Sequence, residues 1–177
     1  MIIFGGFEEG ERTNSVIIYN LKANVWNKVL IKDKGSKPCP RSGHTAVIKG
    51  NMMYIFGGKA DKNIKLNDLW AFNMQVHSWT LITPVDDVMP DTRSGHTACV
   101  YGDVMLIFGG IYEVTKELND VLAYSFPQKR WVSLSENTSP LKITRKNFLN
   151  GSLVRESSPD PKEISDQNVA IDQSAFK

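Results

Sequence analysis

Arg41-Ser42-Gly43-His44-Thr45-Ala46, then Tyr54-Ile55-Phe56-Gly57-Gly58, then Asn67-Asp68-Leu69-Trp70, then Trp79 follow one another in a single stretch of the chain. Fifty-two residues on, the series returns without insertion or deletion as Arg93-Ser94-Gly95-His96-Thr97-Ala98, Leu106-Ile107-Phe108-Gly109-Gly110, Asn119-Asp120-Val121-Leu122 and Trp131. About one period earlier, Ile2-Ile3-Phe4-Gly5-Gly6, Asn14-Ser15-Val16-Ile17 and Trp26 make a third copy that starts partway through the unit. Self-similarity at a period near fifty residues marks propeller blades or solenoid units, each of which buries its apolar faces against its neighbours.

Turn chemistry divides a complete unit into four predicted strands. The first covers 45–48 and 97–101 and ends at Gly50-Asn51 or Gly102-Asp103, dipeptides that supply the positive φ of a tight hairpin. The second, 52–56 and 104–108, is apolar almost throughout, as suits a strand covered on both faces. Each second strand closes on a glycine doublet, Gly5-Gly6, Gly57-Gly58 or Gly109-Gly110, where the lack of a Cβ allows a sharp bend and a close approach by another segment. A phosphate-cradling loop would need a helix directly after the glycines, and eight mixed residues and a strand follow instead. The third strands cover 16–20, 69–73 and 121–125, with Tyr19, Phe72 and Tyr124 in matching places. The fourth cover 26–30, 79–82 and 131–134 and open on Trp26, Trp79 and Trp131, which are expected to pack between sheets with each indole N–H finding a local partner.

His44 and His96 occupy the same place in successive units, so they are expected to do one repeated job, hydrogen bonding that ties the loop to adjacent backbone, rather than to converge on a metal. His77 has no repeat counterpart and is expected in an exposed turn. An arginine fork suits both backbone carbonyls and a partner's carboxylates, so Arg41 and Arg93 stay open between framework and binding roles.

An apolar run ending in Phe-Gly-Gly, a spaced aromatic and Trp, and Arg-x-Gly-His ahead of the next unit together resemble the kelch repeat over residues 1–134. That resemblance implies an all-β fold, a partial kelch-type β-propeller of about three four-stranded antiparallel blades, not closed. The blades fall at 1–30 (partial), 41–82 and 93–134. It also implies a partner surface built by the arginine-bearing loops and the loops after the doublets. The candidate contacts are Arg41, Arg93, Lys59, Asp61, Lys62, Asn63, Tyr112 and Glu113. Gly5, Gly6, Trp26, His44, Gly57, Gly58, Trp79, His96, Gly109, Gly110 and Trp131 are assigned to the framework. Closed propellers have about four to eight blades. The expectation is therefore that sequence is missing, that another chain completes the assembly, or that the chain folds poorly and self-associates through open blade faces.

The 177 residues are 41% hydrophobic, and 21 basic against 19 acidic side chains leave a net charge of +2, no footprint for nucleic acid or an anionic membrane. No apolar run is long enough to span a bilayer, and no secretory signal opens the chain. Cys39 and Cys99 show neither disulfide nor metal spacing, which suits reduced thiols in a cytoplasmic or nuclear protein, with Cys99 expected as a small buried hydrophobe. From Ser135 the repeat signals give way to a polar stretch. Residues 135–177 are expected to form a disordered tail, with 145–154 as a decayed first strand of a further blade.

Two function classes remain. Repeat folds present variable loops on a constant framework, which favours a protein-interaction module or scaffold. The kelch resemblance adds the roles of ubiquitin-ligase substrate adaptor, cytoskeletal organiser and small-GTPase effector. Kelch-like propellers also host copper oxidation and iron-dependent chemistry, but those sites need a convergent ligand cluster that the framework does not replicate, and none is visible. No catalytic residue, metal or cofactor is expected, and the partner is expected to be a protein.

Overall fold

The chain, described here for residues 1–31 and 35–135 of a computed structural model, lays down its strands in sequence order with every pairing antiparallel. Ile2–Phe4 (β1), Val16–Asn20 (β4) and Val25–Lys28 (β5) form a three-stranded first blade in the order β1-β4-β5, and Phe7–Glu8 (β2) and Glu11–Arg12 (β3) stand on it as a separate small hairpin. The second blade is Thr45–Lys49 (β6), Met52–Phe56 (β7), Leu69–Asn73 (β8) and Ser78–Ile82 (β9). The third is Thr97–Tyr101 (β10), Val104–Tyr112 (β11), Lys116–Ser125 (β12) and Arg130–Ser133 (β13). The only helical element among the described residues is a single 3-10 turn, Asp61–Asn63. The polar tail expected at 135–177, Ser135 apart, and the strand expected at 145–154 lie outside the described residues.

Local chemistry sets these registers. Gly50 and Gly102 take φ of 57° and 54° while Asn51 and Asp103 do not turn left-handed, the pattern of a type II′ hairpin with glycine first. At the next turn of each blade the side chain of the last strand residue caps the loop. Asn20 Oδ1 accepts from Lys22 and Ala23 N–H, Asn73 Oδ1 from Gln75 and Val76 N–H, and Ser125 Oγ from Gln128 N–H. The loop then closes through a left-handed residue, Asn24, His77 or Lys129. His77 is thus a turn residue as expected, but it is half-buried, its ring stacked on Phe72 with centroids 6.1 Å apart.

Strands β11 and β12 run further than the sequence reading placed them. The glycine doublet does not end β11: the register shifts between Phe108 and Gly110, and pairing resumes from Gly110↔Leu118 to Tyr112↔Lys116. The irregularity absorbs the bend that Gly109, at φ 63°, makes possible.

Two cores lie between the blades. Phe4 and Val16 of the first blade meet Met53, Ile55, Trp70, Phe72 and Trp79 of the second. One repeat on, Val47, Phe56 and Leu69 of the second meet Met105, Ile107, Leu122, Tyr124 and Trp131 of the third. Each blade therefore offers one face centred on the Phe of Phe-Gly-Gly and an opposite face centred on Trp. The rings meet at 4.9 Å for Phe4–Trp79 and 4.8 Å for Phe56–Trp131.

This two-faced geometry corrects three expectations. Trp26 is 53% exposed, because no described sheet covers the Trp face of the first blade. Cys99 is exposed rather than buried. It stands where Val47 stands one blade earlier, on the Phe face of the third blade, which no described sheet covers, and alternation sends Ala98 and Val100 inward instead. Trp79 and Trp131 do pack between sheets, but neither indole N–H has a hydrogen-bond partner. Trp70 alone donates locally, to Asp68 at 2.7 Å.

Candidate partner-binding surface

At the glycine-doublet end of the blades, each Arg-Ser-Gly-His loop is wedged between two blades. Arg93 is fully buried. Its Nη1 and Nη2 donate to Asp120 at 2.7 and 2.8 Å, Nη1 also to the Gly109 carbonyl at 3.0 Å, and Nε to the Asp91 carbonyl at 3.2 Å. Arg41 repeats this with Asp68 at 2.6 and 2.8 Å, the Gly57 carbonyl at 3.1 Å and the Cys39 carbonyl at 3.2 Å. Each arginine carbonyl meanwhile reaches back to the preceding blade, where it accepts from Gly58 N–H (Arg93) or Gly6 N–H (Arg41), both at 2.8 Å. A Cβ on Gly57 would stand 2.8 Å from the Arg93 oxygen and 3.1 Å from the His96 ring, so the doublet is glycine because the next blade's loop lies against it.

The assignment of Arg41 and Arg93 to the partner surface is therefore corrected. Both guanidinium groups are out of reach of a partner, with their donors satisfied inside the fold by a bidentate carboxylate and backbone carbonyls. The residues missed at the sequence level are Asp68 and Asp120. Their signal was present: each follows its arginine by twenty-seven residues, and the first copy has Ser15 in that place. Burial would raise the Asp68 carboxyl, but hydrogen bonds and charge from Arg41, with a further bond from Trp70, hold it below its ordinary value.

His44 packs edge-on against the Phe4 ring across the first interface, centroids 5.3 Å apart, and its buried Nδ1 has no hydrogen-bond partner. His96 bonds instead to a side chain, its Nε2 lying 2.8 Å from the Thr45 hydroxyl. Burial, and after it the neighbouring Arg41 or Arg93, pushes both imidazoles down to about 4. The unfolded chain binds these protons near pH 6.5 while the folded one does so only near 4. The stabilisation from keeping both neutral is thus complete above about pH 6.5 and is lost as pH falls toward 4. Urea midpoints are expected to drop between pH 7.5 and 5 by the equivalent of about 4 kcal/mol, and His96→Gln should remove roughly half of that slope. A midpoint flat across the range would contradict it.

Beyond the doublets each blade sends out a hairpin, and these hairpins make the exposed edge. In the first blade Glu9 and Gly10, at φ 51° and 87°, turn β2 into β3. In the second, Lys59 bridges to Ser42 and Lys65 around the 3-10 turn of Asp61, Lys62 and Asn63, all three exposed. In the third, Tyr112 and Glu113 lead the extended tip of β11, with Val114 at its apex. Arg12, which the sequence reading left out of the site, joins the first two: it donates to Ser42 Oγ at 3.1 Å and Asn63 Oδ1 at 2.8 Å, and lies 3.9 Å from Asp61. Lys65 Nζ donates to the Glu113 carbonyl and so joins the second to the third. Two cation–π pairs stiffen the ends, Arg12 over Phe7 at 5.2 Å and Lys116 over Tyr112 at 5.4 Å. Lys59, Asp61, Lys62, Asn63, Tyr112 and Glu113 are thereby brought onto one connected surface. Among the described residues no group of three or more His, Cys, Asp or Glu could hold a metal ion. No helix there is long and apolar enough to cross a membrane.

A family model described as the KLHDC2/KLHL20/DRC7 Kelch-repeats domain matches residues 1–149. Among curated proteins, the Rho GTPase-activating protein gacHH of Dictyostelium discoideum is 33% identical over 81% of this chain and 10% of its own length. Human Kelch domain-containing protein 3 is 33% identical over 78% of this chain and 39% of its own. Alpha-scruin of Limulus polyphemus is 27% identical over 81% and 15%. The chain thus spans less than two fifths of the length of each of these relatives.

Proposed function

The chain belongs to the kelch-repeat family, and from that premise we propose that it is a protein-interaction module whose partner, a protein, is gripped by the edge built from the hairpins after the three glycine doublets. The observation that carries this reading is the lacing of those hairpins through Arg12 and Lys65. Loops fixed in advance lose less conformational entropy on binding, so a mixed surface of charged and apolar tips becomes a usable interface. Phe7, Ile64 and Val114 supply exposed apolar contact, and Asp61, Lys62, Asn63 and Glu113 supply directional polar groups around them. The repeated histidines are engaged at the blade interfaces, which supports binding rather than catalysis. Cys39 and Cys99 are exposed free thiols, chemistry suited to the reducing cytoplasm or nucleus. Relatives with names as different as a GTPase-activating protein and a scruin share the repeat, and a scaffold or adaptor role fits that breadth.

The test compares affinity capture by the tagged full chain with two edge variants, Asp61→Lys/Lys62→Glu and Tyr112→Ala/Glu113→Lys, and with Lys22→Glu in the turn at the far end of the first blade. Proteins enriched by the native chain are expected to fall by about tenfold or more with the edge variants and to stay with Lys22→Glu. Enrichment that ignores the edge substitutions would overturn the reading.

A further inference from the structure

The three hairpins of the loop edge differ in charge from blade to blade. Residues 7–13 carry three glutamates against Arg12, residues 59–66 three lysines against Asp61, and residues 111–118 two glutamates against Lys116. The edge therefore reads acidic, basic, acidic. Internal pairing does not erase this order. Glu8 pairs with Lys28 of β5, and Arg12 lies near Asp61, which leaves Glu9 and Glu11 on the first hairpin and the three lysines on the second. Lys65 donates to a backbone carbonyl, that of Glu113, so its charge is not cancelled. Glu9, Glu11, Lys62 and Glu117 are exposed, Lys59 is half-buried, and none of the five is in an ion pair among the described residues. The bonds from Arg12 to Asn63 and from Lys65 to Glu113 hold the hairpins side by side, so their order in sequence is their order along the edge. Each also holds an apolar side chain in solvent, Phe7, Ile64 or Val114. An open cleft of about 340 Å³ lies against the first hairpin, lined by Glu8, Glu9, Glu11, Arg12, Thr13 and Lys28.

We propose that the partner presents to this edge an extended protein segment whose charges run basic, acidic, basic, with apolar side chains between them; the inference rests on the reading of the hairpin edge as the binding surface. One basic side chain enters the cleft beside Glu9 and Glu11, the acidic one meets Lys59 and Lys62, and the second basic one meets Glu117. The order is the same read from either end, so either chain direction satisfies it. Charge complementarity of this kind acts mainly on specificity, because like charges brought together cost more than well-placed opposite ones return. A uniformly basic segment would be repelled by the second hairpin. A uniformly acidic one, or a nucleic acid, would be repelled by the first and third. Alternating sign on a row of hairpins already fixed to one another thus selects a partner by the order of its charges, while Phe7, Ile64 and Val114 supply the apolar contact.

The test is selection of phage-displayed random peptides of about 16 residues, roughly 50 Å when extended, on the full 177-residue chain. Enriched sequences are expected to carry Lys or Arg, then Asp or Glu, then Lys or Arg. The most enriched peptide, made synthetically, is titrated by fluorescence anisotropy against the native chain and its variants. Lys59→Glu/Lys62→Glu should weaken binding by about 30-fold or more, and Lys62→Glu alone by about tenfold. Exchanging the acidic residue of the peptide for lysine should recover most of that loss on the double variant while weakening binding to the native chain. A misfolded variant could not reverse its preference in this way. Lys22→Glu, in the turn at the far end of the first blade, should leave binding unchanged. Peptides that are lost with Tyr112→Ala/Glu113→Lys but follow no charge order would overturn this inference and leave the hairpin edge as the binding surface. Peptides indifferent to every edge substitution would overturn both, and a selection that enriches nothing would overturn the inference.

Discussion

Replacing Arg93 by alanine is expected to lower stability by about 3–5 kcal/mol, the loss typical of breaking a buried ion pair by removing one partner. The side chain of Arg93 is 1% exposed and that of Asp120 16%, so the stranded carboxylate gains little water in return. The Gly109 carbonyl also loses its donor. Arg41→Ala should cost less, about 2–3 kcal/mol, because Asp68 is 30% exposed and solvent can reach it once the arginine is gone. Urea denaturation gives both values. The control is Arg93→Met with Asp120→Leu, which removes both charges and should recover most of the loss. If Arg93→Ala shifts the midpoint by the equivalent of less than about 1 kcal/mol, the pair is not what fixes the loop.

Phe56→Ala is the other large effect, about 3–5 kcal/mol. Its ring is fully buried between Trp131 and His96, at 4.8 and 5.4 Å, and the neighbouring strands have no room to collapse into the cavity. Phe108→Ala removes the same residue from the same place in the next unit, yet in dilute solution it should change stability by less than about 1 kcal/mol, since that ring is half in water. The difference between the two measures how much a blade face gains from being covered. Equal losses would mean that Phe108 is covered by something outside the described residues.

The blades were legible because their signals are local. A Gly-Asn or Gly-Asp dipeptide, a doublet of glycines and a recurring Trp each fix one feature of a strand, and their spacing repeats without a gap between the second and third copies. Which faces are covered is not local, and that is where Trp26 and Cys99 were misread: repeat position and alternation identify a face but not whether another sheet lies against it. The continuation of β11 through Gly109-Gly110 was hidden because a doublet reads as a stop, although Ile111-Tyr112 carries strand-forming side chains on its far side. Lys129 sits in a left-handed turn position that its residue type does not announce, whereas Asn24 and His77 do.

The arginines carry the sharper lesson. An arginine fork suits backbone carbonyls and a partner's carboxylates alike, so at the level of sequence Arg41 and Arg93 stay open between framework and partner contact. What argued for the framework was a second repeated charge at fixed distance, Asp68 and Asp120. Two opposite charges that recur together at one spacing make an internal pair a strong reading. With the arginines assigned to the framework, the candidate surface contracts to the hairpin edge.

That division between framework and edge is tested most directly by affinity capture with the charge-free Arg93→Met/Asp120→Leu chain, once its melt shows that it is folded. Proteins enriched by the native chain are expected to be enriched to the same extent, because no partner touches a guanidinium that is sealed between blades. Loss of those proteins from a chain that is demonstrably folded would place Arg93 in the binding surface and contradict the account.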